Sequence, residues 1–345
     1  MTTDYKYYNF NKVDGSNATL MMIAGGRGIG KTYGAKEKVI KSALTKGTQF
    51  ILLRRYKTEL KVAKASFFND LVANGKFPKW DFRVQGDEAQ AAHASTRDHE
   101  QRPWKTIGYF FALSTQITIK GSSFPKVTKI IFDEFIIEKG SLHYIDGNEE
   151  YAKFLNFYST IDRGQDRVKV YLLANSVSIM NPYFLANDII PDQTGEFAVI
   201  KDGFVCVHFP DAEEYQAKFK QTKFGKYIHK HVESYADYAS NNKFADNHDL
   251  NIGVRPPEAI YRFTLETPDA TFSLWKKSDE WYCEQKLPKD LQQRHFTLIP
   301  ANASRNKTLL VRSDELMKIL RAAYKQGRVT FDNPQTRNGF INVGK

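Results

Sequence analysis

Cysteine is nearly missing from this sequence. Its two cysteines, Cys206 and Cys283, lie far apart and make no metal-ligand spacing. That removes a disulfide scaffold and a cysteine-built metal site, and it points to a reducing compartment. Long apolar runs are missing too. None reaches bilayer-spanning length, and the opening MTTDYKYYNF has no basic-then-apolar signal pattern. The sequence therefore reads as cytosolic, with no membrane partner. It shows no internal repeat and no low-complexity tract. Acidic residues fall short of basic ones, 39 against 50, for a formal net charge of +11. The excess suits a polyanionic partner, nucleic acid or phosphate, though by itself it is a weak signal. What is present in quantity is apolar: hydrophobic residues make up 41% and aromatics 14% of the 345 residues. That is enough for one large or two ordinary domains with a sizeable core.

The stretch AGGRGIGKTYG (Ala24 to Gly34) fits G-x-x-x-x-G-K-[ST], carried by Gly25, Gly30, Lys31 and Thr32. Glycines let consecutive N–H groups turn inward as an anion nest. The lysine reaches the β- and γ-phosphates, and the threonine hydroxyl ligates Mg²⁺. The context agrees with a phosphate loop rather than a chance glycine-rich turn. ATLMMIA (Ala18 to Ala24) reads as a buried strand, and the run from Gly30 reads as a helix ending at Gly47. The helix dipole would face the phosphates. TQFILLRR then reads as a second strand, and Lys57 to Gly75 as a helix. A polar insertion from Gln85 to Trp104 reads as a loop or hairpin.

A phosphate loop alone does not separate a kinase, a GTPase and an ATPase. KIIFDEF decides more. Three apolar residues bury a strand, and Asp133 and Glu134 emerge at its end. An Asp there holds Mg²⁺, and a Glu directly after it can polarise a water for attack on the γ-phosphate. No [NT]-K-x-D guanine-reading motif occurs, which favours ATP. The next strand, Val168 to Ser176, carries Asn175, which reads equally well as a γ-phosphate sensor or as a strand-end turn cap. Arg163 and Arg167 close a helix and its following loop. By residue chemistry alone they read as a solvated basic helix end, with a trans-acting arginine as the alternative.

GGRGIGKTY, ILLRRYKTEL, IIFDEFI, RVKVYLLANSVSIMNPYF and TKFGKYI together resemble the DNA-packaging ATPases of phi29-like small tailed bacteriophages. The resemblance runs through nearly all of the first 230 residues and weakens in the last hundred. It implies an α/β P-loop ATPase of the additional-strand, catalytic-glutamate kind with a parallel sheet. A helical linker and a small α+β domain like a degenerate ribonuclease H nuclease would follow. It also implies a homomeric ring, usually pentameric, on the portal vertex of a prohead in the host cytoplasm. The ring would use ATP and Mg²⁺ to drive double-stranded DNA inward, and would contact a structural packaging RNA. Residue by residue, the phosphate loop becomes Gly25, Gly26, Arg27, Gly28, Ile29, Gly30, Lys31 and Thr32. Asp133 and Thr32 take the metal, and Glu134 is the catalytic carboxylate. Arg163 becomes the trans arginine, Lys120 a second trans cation, and Asn175 the sensor. Lys139, Arg54 and Lys57 are candidate DNA contacts, with ordinary surface charge as the other reading of each; Arg54 and Lys57, at a strand's carboxyl end near the nucleotide, could sense either ligand.

Texture sets the boundaries: an ATPase domain over 1–208, a linker over 209–245, and a C-terminal domain over 246–345. The last reads as a β-meander followed by a helix, with Ser313 as N-cap and Gly327 beyond its end. Its acids, Asp246, Asp249 and Asp269 among them, show no alternation that would build a two-metal cluster, so nuclease activity is not expected. Two other functions remain open at this point. One is a basic P-loop DNA-translocating or recombination ATPase not tied to a capsid. The other is a structural nucleic-acid-binding subunit with a relic nucleotide site.

Overall fold

Unbroken apolar runs in the first half become the centre of one nine-stranded sheet. The structure is a computed structural model. It describes residues 8–94, 102–137, 143–175, 181–189, 191–210, 213–231, 252–268, 270–288, 294–311, 313–326 and 328–344. Its strands are β1 (Leu20–Gly25), β2 (Gln49–Arg54), β3 (Trp80–Gln85), β4 (Glu88–His93), β5 (Lys105–Ala112), β6 (Val127–Asp133), β7 (Lys169–Asn175), β8 (Phe197–Ile200) and β9 (Val205–His208). They lie in the order β3-β4-β5-β2-β6-β7-β1-β9-β8, and neighbours from β5 through β9 pair in parallel. Antiparallel hairpins β3–β4 and β8–β9 finish the two edges, the second turning at Asp202-Gly203. Strand β7 sits between β1 and β6, so the strand ending at Asp133 does not touch the strand that feeds the phosphate loop. That inserted strand is the additional strand of the expected ATPase class.

A central parallel strand is covered on both faces and therefore needs apolar residues throughout; β1 is buried at every position. Met21, Ile23, Leu52, Ile131 and Leu173 share a core with Tyr33, Val39 and Ile40 of the helix Lys31–Lys46. Gly47, at φ 68°, ends that helix in the left-handed region. Alternate strand residues point the other way: Phe132 stacks on Phe154 of the helix Glu150–Asp162, 5.7 Å between ring centres.

The run from Lys57 to Gly75 forms two helices, Lys57–Ala65 and Asn69–Ala73, rather than one. The turn between them buries Phe67 and Phe68. Phe67 stacks on Phe50 at 5.4 Å and meets Phe110 edge-on at 5.2 Å, so aromatic packing overrides helix propensity here. Of the polar insertion, residues 85–94 complete the β3–β4 hairpin, and 95–101 lie outside the described residues.

The chain divides into two compact units, Met1–Ala245 and Asp246–Lys345. The 209–245 stretch contains helices Glu213–Gln221 and Lys223–His231, and 232–251 lie outside the described residues. The second unit has β10 (Ile260–Glu266), β11 (Thr271–Lys277), β12 (Glu280–Glu284), β13 (His295–Thr297), β14 (Lys307–Leu309) and β15 (Val329–Phe331). Only the first three meander. β13 adds parallel to β10, β14 parallel to β13, and β15 parallel to β12. Helices Glu315–Lys325 and Pro334–Gly344 bury Met317, Leu320, Phe340 and Val343 against this sheet. The N-cap of the first is Asp314, not Ser313: its carboxylate accepts from the Val311 N–H at 2.7 Å and closes the entering turn. Gly327 lies outside the described residues.

Truncating Phe67 should cost about 3–5 kcal/mol, the usual range for a fully buried ring. The exposed Val72→Ala, one turn away, should stay within about 0.5 kcal/mol. Denaturant midpoints of the two variants check this; equal midpoints would show that the aromatic cluster does not stabilise the first unit.

Candidate active site

Strand β1 stops at Gly25 and the helix begins at Lys31, and the loop between them needs glycine at specific points. Gly28 and Gly30 have φ of 81° and 83°. At Gly28 a Cβ would lie 2.2 Å from the ring of Tyr215, and at Gly25 one would lie 2.8 Å from Pro210. No side chain caps the first turn of the helix, so its N–H groups point at the cavity above as anion donors. The cavity holds about 230 Å³ and is lined by the loop, Asp133, Glu134, Ala174 and Asn175. It opens at the carboxyl ends of β1, β6 and β7, where ligands of open α/β sheets bind.

Lys31 Nζ donates to the carbonyls of Gly25 (2.9 Å) and Gly26 (2.7 Å), and lies 3.5 Å from Asn175 Oδ1. Burial lowers its pKa to about 8 against the pull of Asp133, and Arg27 lowers it further. Thr32 Oγ1 donates to Asp133 Oδ1 at 2.9 Å. A hydroxyl and a carboxylate side by side are the hard oxygen donors that Mg²⁺ takes, so this pair fits the metal.

Arg54 sits differently from its expected place among DNA contacts. It ends β2 at 9% exposure, and its guanidinium holds both acids: Asp133 Oδ2 at 2.9 Å and Glu134 Oε2 at 2.6 Å. A residue consumed by two carboxylates beside the phosphate loop belongs to the site. The Glu134 side chain is half exposed, so its half of the clamp is worth on the order of 1 kcal/mol. Glu134 can leave Arg54 at small cost. In the clamped state its carboxylate is occupied by a cation and is a poor base.

Arg163 follows the helix Glu150–Asp162 at φ 56° and donates to the Ser122 carbonyl at 2.7 Å. Lys120, exposed, stands on the same loop as Ser122. The two trans candidates thus share one edge, and neither lines the cavity of its own chain. Arg167 is spent within the chain on the carbonyls of Val127 and Ile161. Lys57 lines a separate cavity of about 450 Å³ with Lys61, Lys64, Thr115 and Thr118. Lys139 lies outside the described residues. The clamp by Arg54 was missed in sequence; its only signal was an arginine at a strand end beside the phosphate loop.

The family profile described as Podovirus DNA encapsidation protein (Gp16) matches residues 3–343. The DNA packaging protein of Bacillus phage phi29 is 29% identical over 336 residues, covering 96% of this chain and 95% of that protein. A solved structure of the bacteriophage phi29 viral genome packaging motor assembly superposes with TM-score 0.73 at 26% identity, over 99% of this chain and 100% of that one. The N-terminal domain of the DNA packaging ATPase from the same phage matches 61% of this chain and 98% of its own length, with TM-score 0.52 and 33% identity.

Nucleotide affinity should fall as pH rises through about 8, the Lys31 value. Phosphates favour the ammonium, so the complex holds that proton to higher pH. Between the two pKa values each pH unit weakens binding by up to about tenfold. Lys31→Ala should bind about 1.5–3 kcal/mol more weakly and lose this pH dependence. Titration of a fluorescent ATP analogue from pH 7 to 9.5 reads both; a flat wild-type profile contradicts the assignment.

Proposed function

Because this chain belongs to the Podovirus DNA encapsidation protein (Gp16) family, we propose that it is the ATP-hydrolysing subunit of a viral motor that drives double-stranded DNA into a preformed prohead. One observation supports this most: a single cavity gathers Lys31, Thr32, Asp133, Glu134 and Asn175 from three strand ends. The loop N–H groups and Lys31 grip the β- and γ-phosphates, with Arg27 adding charge from the loop's exposed side. Thr32 and Asp133 would hold Mg²⁺, which would neutralise phosphate charge. Glu134, released by Arg54, takes a proton from the attacking water, and Asn175 orients that water or the γ-phosphate.

Arg163, seconded by Lys120, completes a neighbouring subunit's site. A cation aimed at transferring phosphate is worth about 10³–10⁵ in rate, and Arg163 faces no phosphate cavity of its own chain. The assembly is therefore a ring, pentameric by family resemblance, seated on the portal vertex in the host cytoplasm and touching a packaging RNA. DNA is held through its backbone, because a motor must accept any sequence; Lys57 and Lys139 are the candidate contacts. The domain limits are 1–208, 209–245 and 246–345. The C-terminal domain is a ribonuclease H-like remnant that does not cut DNA. Of its acids, Glu266 at the end of β10 is paired with Lys307 at 3.2 Å, while Asp246, Asp249 and Asp269 lie outside the described residues.

Glu134→Gln should bind ATP and fail to hydrolyse it, and Arg163→Ala should do the same. Mixed rings of the two should recover part of the phosphate release, because an intact Arg163 then stands beside an intact Glu134. Mixed rings that form and remain inactive would place Arg163 in cis.

A further inference from the structure

Arg54 ends β2 and holds the Asp133 and Glu134 side chains. The next residue, Arg55, goes into the protein, where it is 1% exposed. A buried arginine with a buried carboxylate is weak evidence for stability, so this one asks for another reason. Its partner Glu150 is 0% exposed at the start of the helix Glu150–Asp162. Arg55 Nε donates to both Glu150 oxygens, at 3.0 and 2.8 Å, and Nη2 donates to Oε1 at 2.9 Å. Tyr183, also 0% exposed, donates its hydroxyl to the same Oε1 at 2.8 Å. The Ile145 N–H takes the other oxygen at 2.7 Å.

The remaining donors reach two carbonyls. Arg55 Nη1 donates to the Glu134 carbonyl at 3.1 Å, and Nη2 to that of Phe135 at 2.7 Å. Glu134 has φ 60°, a conformation disfavoured for any residue with a Cβ. That backbone angle decides where its carboxylate starts from. The ring of Tyr144, 5.0 Å from the guanidinium, closes the pocket.

We propose that Arg55, braced by Glu150 and Tyr183, is a positioning residue that fixes the Glu134 backbone in its left-handed conformation and so aims the carboxylate at the attacking water. The proposal rests on the reading of Glu134 as the catalytic base. Two neighbouring arginines divide the task. Arg54 holds the Glu134 side chain at a half-exposed site and can let it go. Arg55 holds the main chain from beneath, out of water. The carboxylate can then swing about its side-chain torsions while its anchor stays fixed.

The test uses the full chain in its ATP-hydrolysing assembly, with Tyr183→Phe, Arg55→Lys and Glu134→Gln. Tyr183→Phe keeps the ring and removes one brace; Arg55→Lys removes the fork. The expected result is a kcat about tenfold lower for the first and about a hundredfold lower for the second, since small misplacements of a reacting group cost that much. Nucleotide Kd should stay within about twofold, because the loop and Lys31 are untouched. Adding Tyr183→Phe to Glu134→Gln should lower the residual rate no further. Wild-type kcat in a folded Tyr183→Phe, a Kd that worsens in step with kcat, or an additive loss in the double variant would each overturn the proposal. If Arg55→Lys does not fold, the two Tyr183→Phe measurements decide alone. Wild-type turnover by Glu134→Gln would instead overturn the underlying reading of that residue.

Discussion

The carboxylate of Asp133 is the point on which the first unit depends. One oxygen takes the Thr32 hydroxyl and the other takes Arg54. Those two bonds tie together the helix after β1, the end of β2 and the end of β6; β2 and β6 are neighbours, but β1 reaches β6 only through β7. The same carboxylate pulls the Lys31 pKa up against burial. A group so shared is expensive to leave unpaired, so the hydroxyl and the guanidinium draw on one fixed set of lone pairs. A change at the partner of one oxygen therefore acts on the partner of the other.

The apolar layers explain why the arrangement can be held to ångström tolerance. Phe132 precedes Asp133 directly and is buried against Phe154 and Tyr183. Its register to Leu172 of β7 is fixed. Charged groups that need accurate placement thus ride on residues that cannot move without opening a cavity. The exposed partners, Lys120 and Arg163, sit on turns with left-handed residues at Gly121 and Arg163, where position is set by backbone geometry rather than packing.

Much of this was legible in the sequence because its signals are local. The phosphate loop needs glycine where φ is positive, and KIIFDEF buries three residues and then brings two acids out at the strand end. Unbroken apolar runs named β1, β6 and β7 to within a few residues. What escaped was set by partners distant in sequence. The break at Ser66 exists because Phe67 and Phe68 have a core waiting for them. The parallel addition of β13 to β10 depends on pairings that no periodicity records. Arg54 read as a DNA contact or a sensor near the nucleotide, because nothing in RRYK says that its two carboxylates lie about eighty residues away. Arg55 and Glu150, further apart still, carry no pattern at all.

The ring of Tyr215 pressed on Gly28 changes what the segment after β9 is. It is polar and charged and would pass for a tether. Yet its first helix rests a flat aromatic plate on a loop that lines the cavity. The ring, carried by the helix Glu213–Gln221, occupies the space that any side chain at Gly28 would need. The segment is thereby a wall: Gly28 is held to glycine by a ring that a nine-residue rod carries.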